Sequence, residues 1–233
     1  MTDWHSHVLP EMDDGSRSVE ESISMLTALG YQGADTVVAT PHFYADDGSV
    51  SSFLKRRDSS LEKLVSEVTT GLPRIVPGAE VRYYSGISRL EGLKSLRIEG
   101  SELLLLEMPF CRWTEYDLKE LIELSCKSGI RVLLAHIERY CDFQRRGIWE
   151  DLARNGILFQ INASRFQALS TRAWALSFLK KGLVRFIGSD CHNMTDRPPN
   201  IGAAYEIIRK KLGQDFEKAL YRYGEGSFAT HRG

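Results

Sequence analysis

Two histidines stand one residue apart near the start of the chain, in Asp3-Trp4-His5-Ser6-His7. On a strand, alternation puts both imidazoles on one face, where together they can grip a single ion. The pair is common by itself, so its weight depends on the rest of the chain. Further ligand types recur along it: His42 in Ala39-Thr40-Pro41-His42, Glu80 in Pro77-Gly78-Ala79-Glu80, Glu107 after four leucines, His136, and Asp190 with His192 in Gly188-Ser189-Asp190-Cys191-His192. A mixed imidazole and carboxylate set suits manganese, iron or zinc better than magnesium or calcium, which prefer oxygen alone.

These residues need a scaffold that brings strand ends together. Apolar runs of strand length fall at 2–7, 36–40, 74–76, 103–107, 131–136, 158–162 and 184–187. Between them, 20–29, 52–69, 115–128, 149–154, 171–181 and 201–212 carry apolar residues at helical spacing, with glycines at or just beyond their ends. Repeated strand-helix units imply parallel strands with helical crossovers, and runs apolar on both faces imply helical cover. Seven such strands predict an α/β fold closed as a distorted seven-stranded (β/α)7 barrel of the TIM-like kind. Every ligand-type residue above then lies at the C-terminal end of a strand, where the loops of a barrel share one mouth. Of the histidines, only His231, in the terminal tail, falls elsewhere.

Composition narrows the function classes. The chain has 233 residues, 42% of them hydrophobic, enough for one domain spanning 1–233. Lys and Arg number 30 against 31 acids, so bulk charge calls for neither nucleic acid nor a membrane surface as partner. No leader and no membrane-length apolar run is evident, which makes the cytoplasm the expected location. Cys111, Cys126, Cys141 and Cys191 form no C-x-x-C pair and read as free thiols. The segment from Gly224 onward reads as a weakly structured tail.

Taken together, Asp3-x-His5-x-His7-x-Leu9-Pro10-x-x-Asp13-Asp14-Gly15-Ser16, Glu20-Glu21-Ser22, Thr40-Pro41-His42, His136-x-Glu138-Arg139-Tyr140 and Ser189-Asp190-x-His192-Asn193 resemble a known family. It is the metal-dependent protein-tyrosine phosphatases of bacterial capsule and exopolysaccharide loci, within the polymerase and histidinol phosphatase superfamily. The resemblance covers nearly the whole chain and implies three divalent ions, usually manganese. It implies that His5, His7, Glu80 and Asp190 hold one ion, with Glu80 bridging to a second held by Glu107 and His136, while Asp14, His42 and His192 hold the third. Three divalent ions outweigh the four carboxylates, and a phosphomonoester dianion complements that excess. Arg139 and Arg197 match the family's phosphate contacts, and guanidinium forks suit phosphoryl oxygens. Water acidified by the ions would attack phosphorus with no phosphoenzyme, with His42 or His192 available to assist proton transfer. The implied substrate is the phosphotyrosine tail of a cognate bacterial tyrosine kinase that regulates polysaccharide synthesis.

Several residues admit plainer readings. Asp3 reads as a partner orienting a histidine rather than a ligand, and Asp13 as a turn residue. Glu138 reads equally as a surface charge or as support for the site, and Glu107 competes as a salt-bridged strand end. Tyr83, Tyr84, Phe110 and Trp113 either line a substrate pocket or pack in the core. Cys191 to Arg197 also fits C-x5-R, the pattern of cysteine-dependent phosphatases. Its intervening residues, however, contain no glycine and include Asp196, which repels a dianion. The alternatives to a tyrosine phosphatase are a histidinol-phosphate or other small-molecule phosphatase and a phosphotyrosine-binding module without turnover.

Overall fold

The apolar runs become parallel strands in a computed structural model, which describes residues 1–68 and 71–228. The strands are β1 (Thr2–Ser6), β2 (Thr36–Ala39), β3 (His42–Phe43), β4 (Arg74–Pro77), β5 (Glu80–Arg82), β6 (Leu103–Glu107), β7 (Arg131–Leu134), β8 (Leu158–Asn162) and β9 (Val184–Gly188). The helices are α1 (Val19–Tyr31), α2 (Val50–Glu67), α3 (Glu115–Ser125), α4 (Ile148–Arg154), α5 (Ser164–Gln167), α6 (Leu169–Lys180), α7 (Ile201–Leu212) and α8 (Gln214–Ser227). The α/β class and the parallel pairing match the sequence reading.

The closed seven-stranded barrel does not. Among the described residues there are nine strands in two sheets, one of order β1-β2-β4 and one of order β3-β5-β6-β7-β8-β9. The reason lies in two short breaks. Thr40-Pro41 splits the second strand run, and Pro41 has no N–H to give to a ladder. Gly78-Ala79 splits the third after Pro77. The breaks are in step: Ala39 pairs with Pro77 before them and His42 with Glu80 after them. Each resumed strand therefore begins on a ligand-type residue. At the far seam a single bridge, Ser6 to Cys191, joins the end of β1 to the segment after β9.

Alternation sorts the strand side chains into two apolar groups. Leu104, Leu106, Val132 and Leu134 pack with Leu26, Leu29, Leu64 and Leu121 of the helices, whereas Leu103, Leu105, Leu133, Val38, Val76, Phe186 and Trp4 gather on the opposite face. That second face is covered partly by α8, which the sequence reading did not anticipate. Gly224 of α8 lies so close to the Trp4 ring that a Cβ there would come within 2.9 Å of it. Phe228 stacks on Trp4 with centroids 4.9 Å apart and an interplanar angle of 15°. The expected loose tail is thus helical through Ser227. Residues 229–233, including His231, and Thr69 of the expected 52–69 helix lie outside the described residues.

Candidate metal centre

The C-terminal ends of β1, β6, β7 and β9 and the first residues of β3 and β5 deliver their polar side chains to one largely buried cluster. His5 and His7 meet as alternation requires, their Nε2 atoms 3.2 Å apart. Glu80 is the hub: its Oε2 lies 3.1 Å from His5 Nε2, 3.3 Å from His7 Nε2 and 3.1 Å from His42 Nδ1, and its Oε1 lies 2.8 Å from His136 Nε2. Glu107 Oε1 is 3.5 Å from His136 Nε2. Asp190 Oδ1 lies 3.5 Å from both His5 and His7. At the open edge, the 66% exposed Asp14 carboxylate approaches His42 at 3.5 Å and His192 at 3.3 Å. Every ligand-type residue expected from the sequence reaches this cluster. The grouping is more shared than expected, since His7 lies with Asp14, His42 and His192 as well as with His5 and Asp190.

Hydrogen bonding fixes which nitrogens carry lone pairs. The Gln160 carbonyl oxygen accepts from the His136 backbone N–H at 2.6 Å, so the 3.2 Å contact to His5 Nδ1 requires that nitrogen to donate. His7 Nδ1 donates to Asp13 Oδ2 at 2.6 Å, and His192 Nδ1 to the Asp190 carbonyl at 3.1 Å. The Nε2 lone pairs of His5 and His7 are thereby turned toward each other and toward the carboxylates. His42 Nδ1, buried, has no hydrogen-bond partner. Opposed lone pairs, an orphaned imidazole nitrogen and clustered buried acids are what cations between them would satisfy.

The titration behaviour has the same cause. Burial opposes charge on His7, but Asp13, Asp190 and Glu80 outweigh it and hold its pKa well above the ordinary histidine value. Burial likewise opposes charge on His136, yet hydrogen bonds to Glu107 and Glu80 raise it to about 9. Glu80 and Asp190 are held well below the usual carboxylate range: burial opposes this, and the neighbouring histidines overcome it. By contrast, burial pushes His192 down to about 4, with the charges of His7 and Arg197 adding to the effect. The acids require positive charge at the centre, while His192 stays neutral and its Nε2 lone pair faces Asp14 and Arg197.

Two residues that shape the centre have left-handed backbone: His136 at φ 30° and Asp190 at φ 54°. Non-glycine residues rarely adopt this region, and here it turns each side chain out of its strand direction into the cluster. Gly188, just before, passes so close to His5 that a Cβ would sit 2.4 Å from the His5 Cβ. Asp190 is further held by Asn162 Nδ2 at 2.7 Å. Arg139 reaches its Oδ2 at 2.5 Å and Arg197 its Oδ1 at 2.7 Å, so both guanidiniums sit at the rim of the centre, partly exposed. Arg197 also donates to His192 Nε2 at 2.8 Å.

The supporting residues differ from the sequence reading. Asp3 touches no imidazole; it accepts from the Ser189 N–H at 2.7 Å and hydroxyl at 2.6 Å and so anchors the loop that carries Asp190. Orienting a histidine falls instead to Asp13, which also accepts from the N–H groups of His42 and Gly15. Gln160 and Asn162, on one face of β8, escaped notice; their i, i+2 spacing at a strand end was the available signal. Glu138 is no surface charge: its carboxyl is buried, 3.6 Å from Arg165. Tyr83 and Trp113 are buried, whereas Tyr84 and Phe110 are exposed. Cys191 is fully buried, its thiol pushed up by burial and away from the thiolate a nucleophile needs.

Fold and cluster together define a parallel α/β protein with groups of imidazoles and carboxylates that could hold metal gathered at its strand ends. The chain belongs to the family described as capsular polysaccharide synthesis, CpsB/CapC, whose profile matches residues 1–226. It is 31% identical over 244 residues to the tyrosine-protein phosphatase CpsB of Streptococcus pneumoniae, covering 95% of each chain. A crystal structure from work on YwqE of Bacillus subtilis and CpsB of S. pneumoniae, described as metal-dependent tyrosine phosphatases, superposes with a TM-score of 0.83. It is 25% identical, with 98% of this chain and 94% of that one covered. HisK of Listeria monocytogenes, proposed to be a histidinol phosphatase, shares the fold at a TM-score of 0.52 and 15% identity, over 82% of this chain and 95% of that one.

Proposed function

We propose that this chain is a metal-dependent protein-tyrosine phosphatase acting on the phosphorylated tail of a bacterial tyrosine kinase that regulates capsular or extracellular polysaccharide synthesis. One observation carries the reading: two guanidiniums, Arg139 and Arg197, stand at the rim of a buried cluster of imidazoles and carboxylates whose lone pairs converge. The activity named for relatives that match along nearly their whole length supports it. His5, His7, Glu80 and Asp190 would hold one divalent ion, Glu80, Glu107 and His136 a second, and Asp14, His42 and His192 a third. Manganese is the proposed metal, with iron and zinc compatible with the same donors. Such ions would supply Lewis acidity and a water acidic enough to attack phosphorus near neutral pH.

The chain's own groups do the rest. Arg139 and Arg197, already turned toward Asp190, offer paired donors for the non-bridging phosphoryl oxygens, where charge accumulates as the ester bond breaks. Arg197 donates to the same His192 Nε2 that would hold the third ion, so an ion there would free that guanidinium for the phosphoryl group. Asp13, Gln160 and Asn162 hold the imidazoles and Asp190 so that little reorganisation accompanies the reaction. No helix among the described residues is long and apolar enough to cross a membrane, which fits the proposed cytoplasmic location.

The test is phosphate release from a panel of phosphotyrosine peptide, phosphoserine peptide and histidinol phosphate, after chelation and after manganese is restored. Manganese-dependent preference for phosphotyrosine is expected. Preference for histidinol phosphate would assign a small-molecule phosphatase, and tight peptide binding without release would assign a binding module.

A further inference from the structure

Of the exposed large apolar side chains, Phe110 is the one whose ring lies against a histidine of the cluster, among the described residues. It follows β6, three residues beyond Glu107, and 45% of it is open to solvent, whereas its neighbour Trp113 is 5% exposed. The Phe110 ring centroid is 6.0 Å from that of His136 and 6.0 Å from Arg139 Cζ. Beneath, it stacks on the buried Tyr140 ring at 5.6 Å with an interplanar angle of 22°. Tyr140 is itself held, since its hydroxyl accepts from the Met108 N–H at 3.0 Å. The ring is therefore supported from below and bare above, at the edge where Arg139 meets the centre.

A phenyl face held open beside a guanidinium at the rim of the centre can pack against an aromatic group carried by whatever that guanidinium binds. We infer that Phe110 is a specificity-determining residue, forming an apolar wall against which the aromatic ring of an aryl phosphate packs while Arg139 holds its phosphoryl group. The inference rests on the phosphatase reading above and deepens it. A phosphate seated on Arg139 leaves its ester substituent only a few ångströms further out, and aromatic pairs interact at centroid separations of about 4.5–7 Å. Phe110 already stands that far from Arg139. A slim alkyl ester, such as phosphoserine, would reach past without covering the ring. On the other side of the Glu80 carboxylate, Tyr44 stacks on His42 at 5.3 Å and 25°, so the centre has an aromatic on each flank.

The experiment compares the intact manganese-loaded protein with Phe110→Ala and Phe110→Tyr by calorimetric binding of phenylphosphonate, which carries the ring, and of inorganic phosphate, which lacks it. Phe110→Ala should weaken phenylphosphonate about tenfold and leave phosphate within about twofold, with Phe110→Tyr restoring the difference. kcat/KM should follow, falling about tenfold for phosphotyrosine and little for phosphoserine. Equal weakening of both ligands would show that Phe110 only supports Arg139, and no change in either would show that the ring is not covered; each result overturns the inference. If the unmutated protein fails to hydrolyse phosphotyrosine, the phosphatase reading fails, while the binding comparison still decides the role of Phe110.

Discussion

Replacing Asp13 by alanine should weaken manganese binding without unfolding the chain. The Asp13 carboxylate accepts from His7 Nδ1 at 2.6 Å, from the His42 N–H at 2.8 Å and from the Gly15 N–H at 2.9 Å. It is held below the usual carboxylate range: burial would raise it, but the charge and hydrogen bond of His7 prevail. Of the three bonds, two are to backbone N–H groups and hold the loop. The bond to His7 is not easily replaced, because the imidazole is buried and its tautomer decides whether Nε2 presents a lone pair to the centre. Loss of such a carboxylate behind a ligating histidine typically costs about 10–100-fold in metal affinity, which corresponds to roughly 1.4–2.8 kcal/mol. Asp13→Asn keeps one carbonyl oxygen for His7 and should fall between. The assay is calorimetric titration of manganese into chelator-stripped protein, with circular dichroism as a control for folding. Unchanged affinity in a folded Asp13→Ala protein would refute the claim that Asp13 orients a ligand.

Three further outcomes are expected. Gly188→Ala should displace His5, because the new Cβ would lie 2.4 Å from the His5 Cβ and 2.9 Å from its backbone nitrogen; metal content should drop, whereas normal content would show that the strands can part. Cys191→Ala should keep most of the activity and a chelator should abolish it, the reverse pattern pointing to thiol chemistry. Glu120 is buried and accepts from the Gly86 N–H at 3.0 Å, the Ser88 N–H at 3.1 Å and the Tyr83 hydroxyl at 2.9 Å. Glu120→Ala should therefore cost about 2–4 kcal/mol, lowering Tm by roughly 5–10 °C. Burial raises the Glu120 pKa, but these donors outweigh it and depress the carboxyl below its ordinary 4.5. Its contribution is thus fully present above that value and fades as pH falls through the lower folded one. The stability gap to Glu120→Gln, read by denaturant melts, should be level at neutral pH and shrink in acid; a gap that widened in acid would contradict the sign.

The parts of the molecule legible in the sequence obey local rules. Period-two alternation places His5 and His7 together, and apolar runs on both faces signal parallel strands under helices. The strand-end position of Glu107, His136 and Asp190 points to a common mouth. The resumption of strand at His42 and Glu80 was less readable, because β3 and β5 are only two and three residues long and show no alternation of their own. Their brevity hid the change of sheet between β2 and β3. The exchange of roles between Asp3 and Asp13 was equally hidden, since it depends on how the loop after β1 folds back toward His42. Helix α8 escaped because glycines are poor helix formers in isolation, whereas Gly224 is there to let Trp4 approach, a tertiary contact across the whole chain.

The central claim is that the cluster works as a multinuclear metal centre. It is tested most directly by titrating manganese into chelator-stripped protein while bound metal per chain and phosphate release from a phosphotyrosine peptide are followed together. The stripped protein should show no turnover, saturation should come at about three ions per chain, and activity should rise with occupancy and be lost in His5→Ala. Full activity in stripped protein, or activity complete at a single ion per chain, would contradict it.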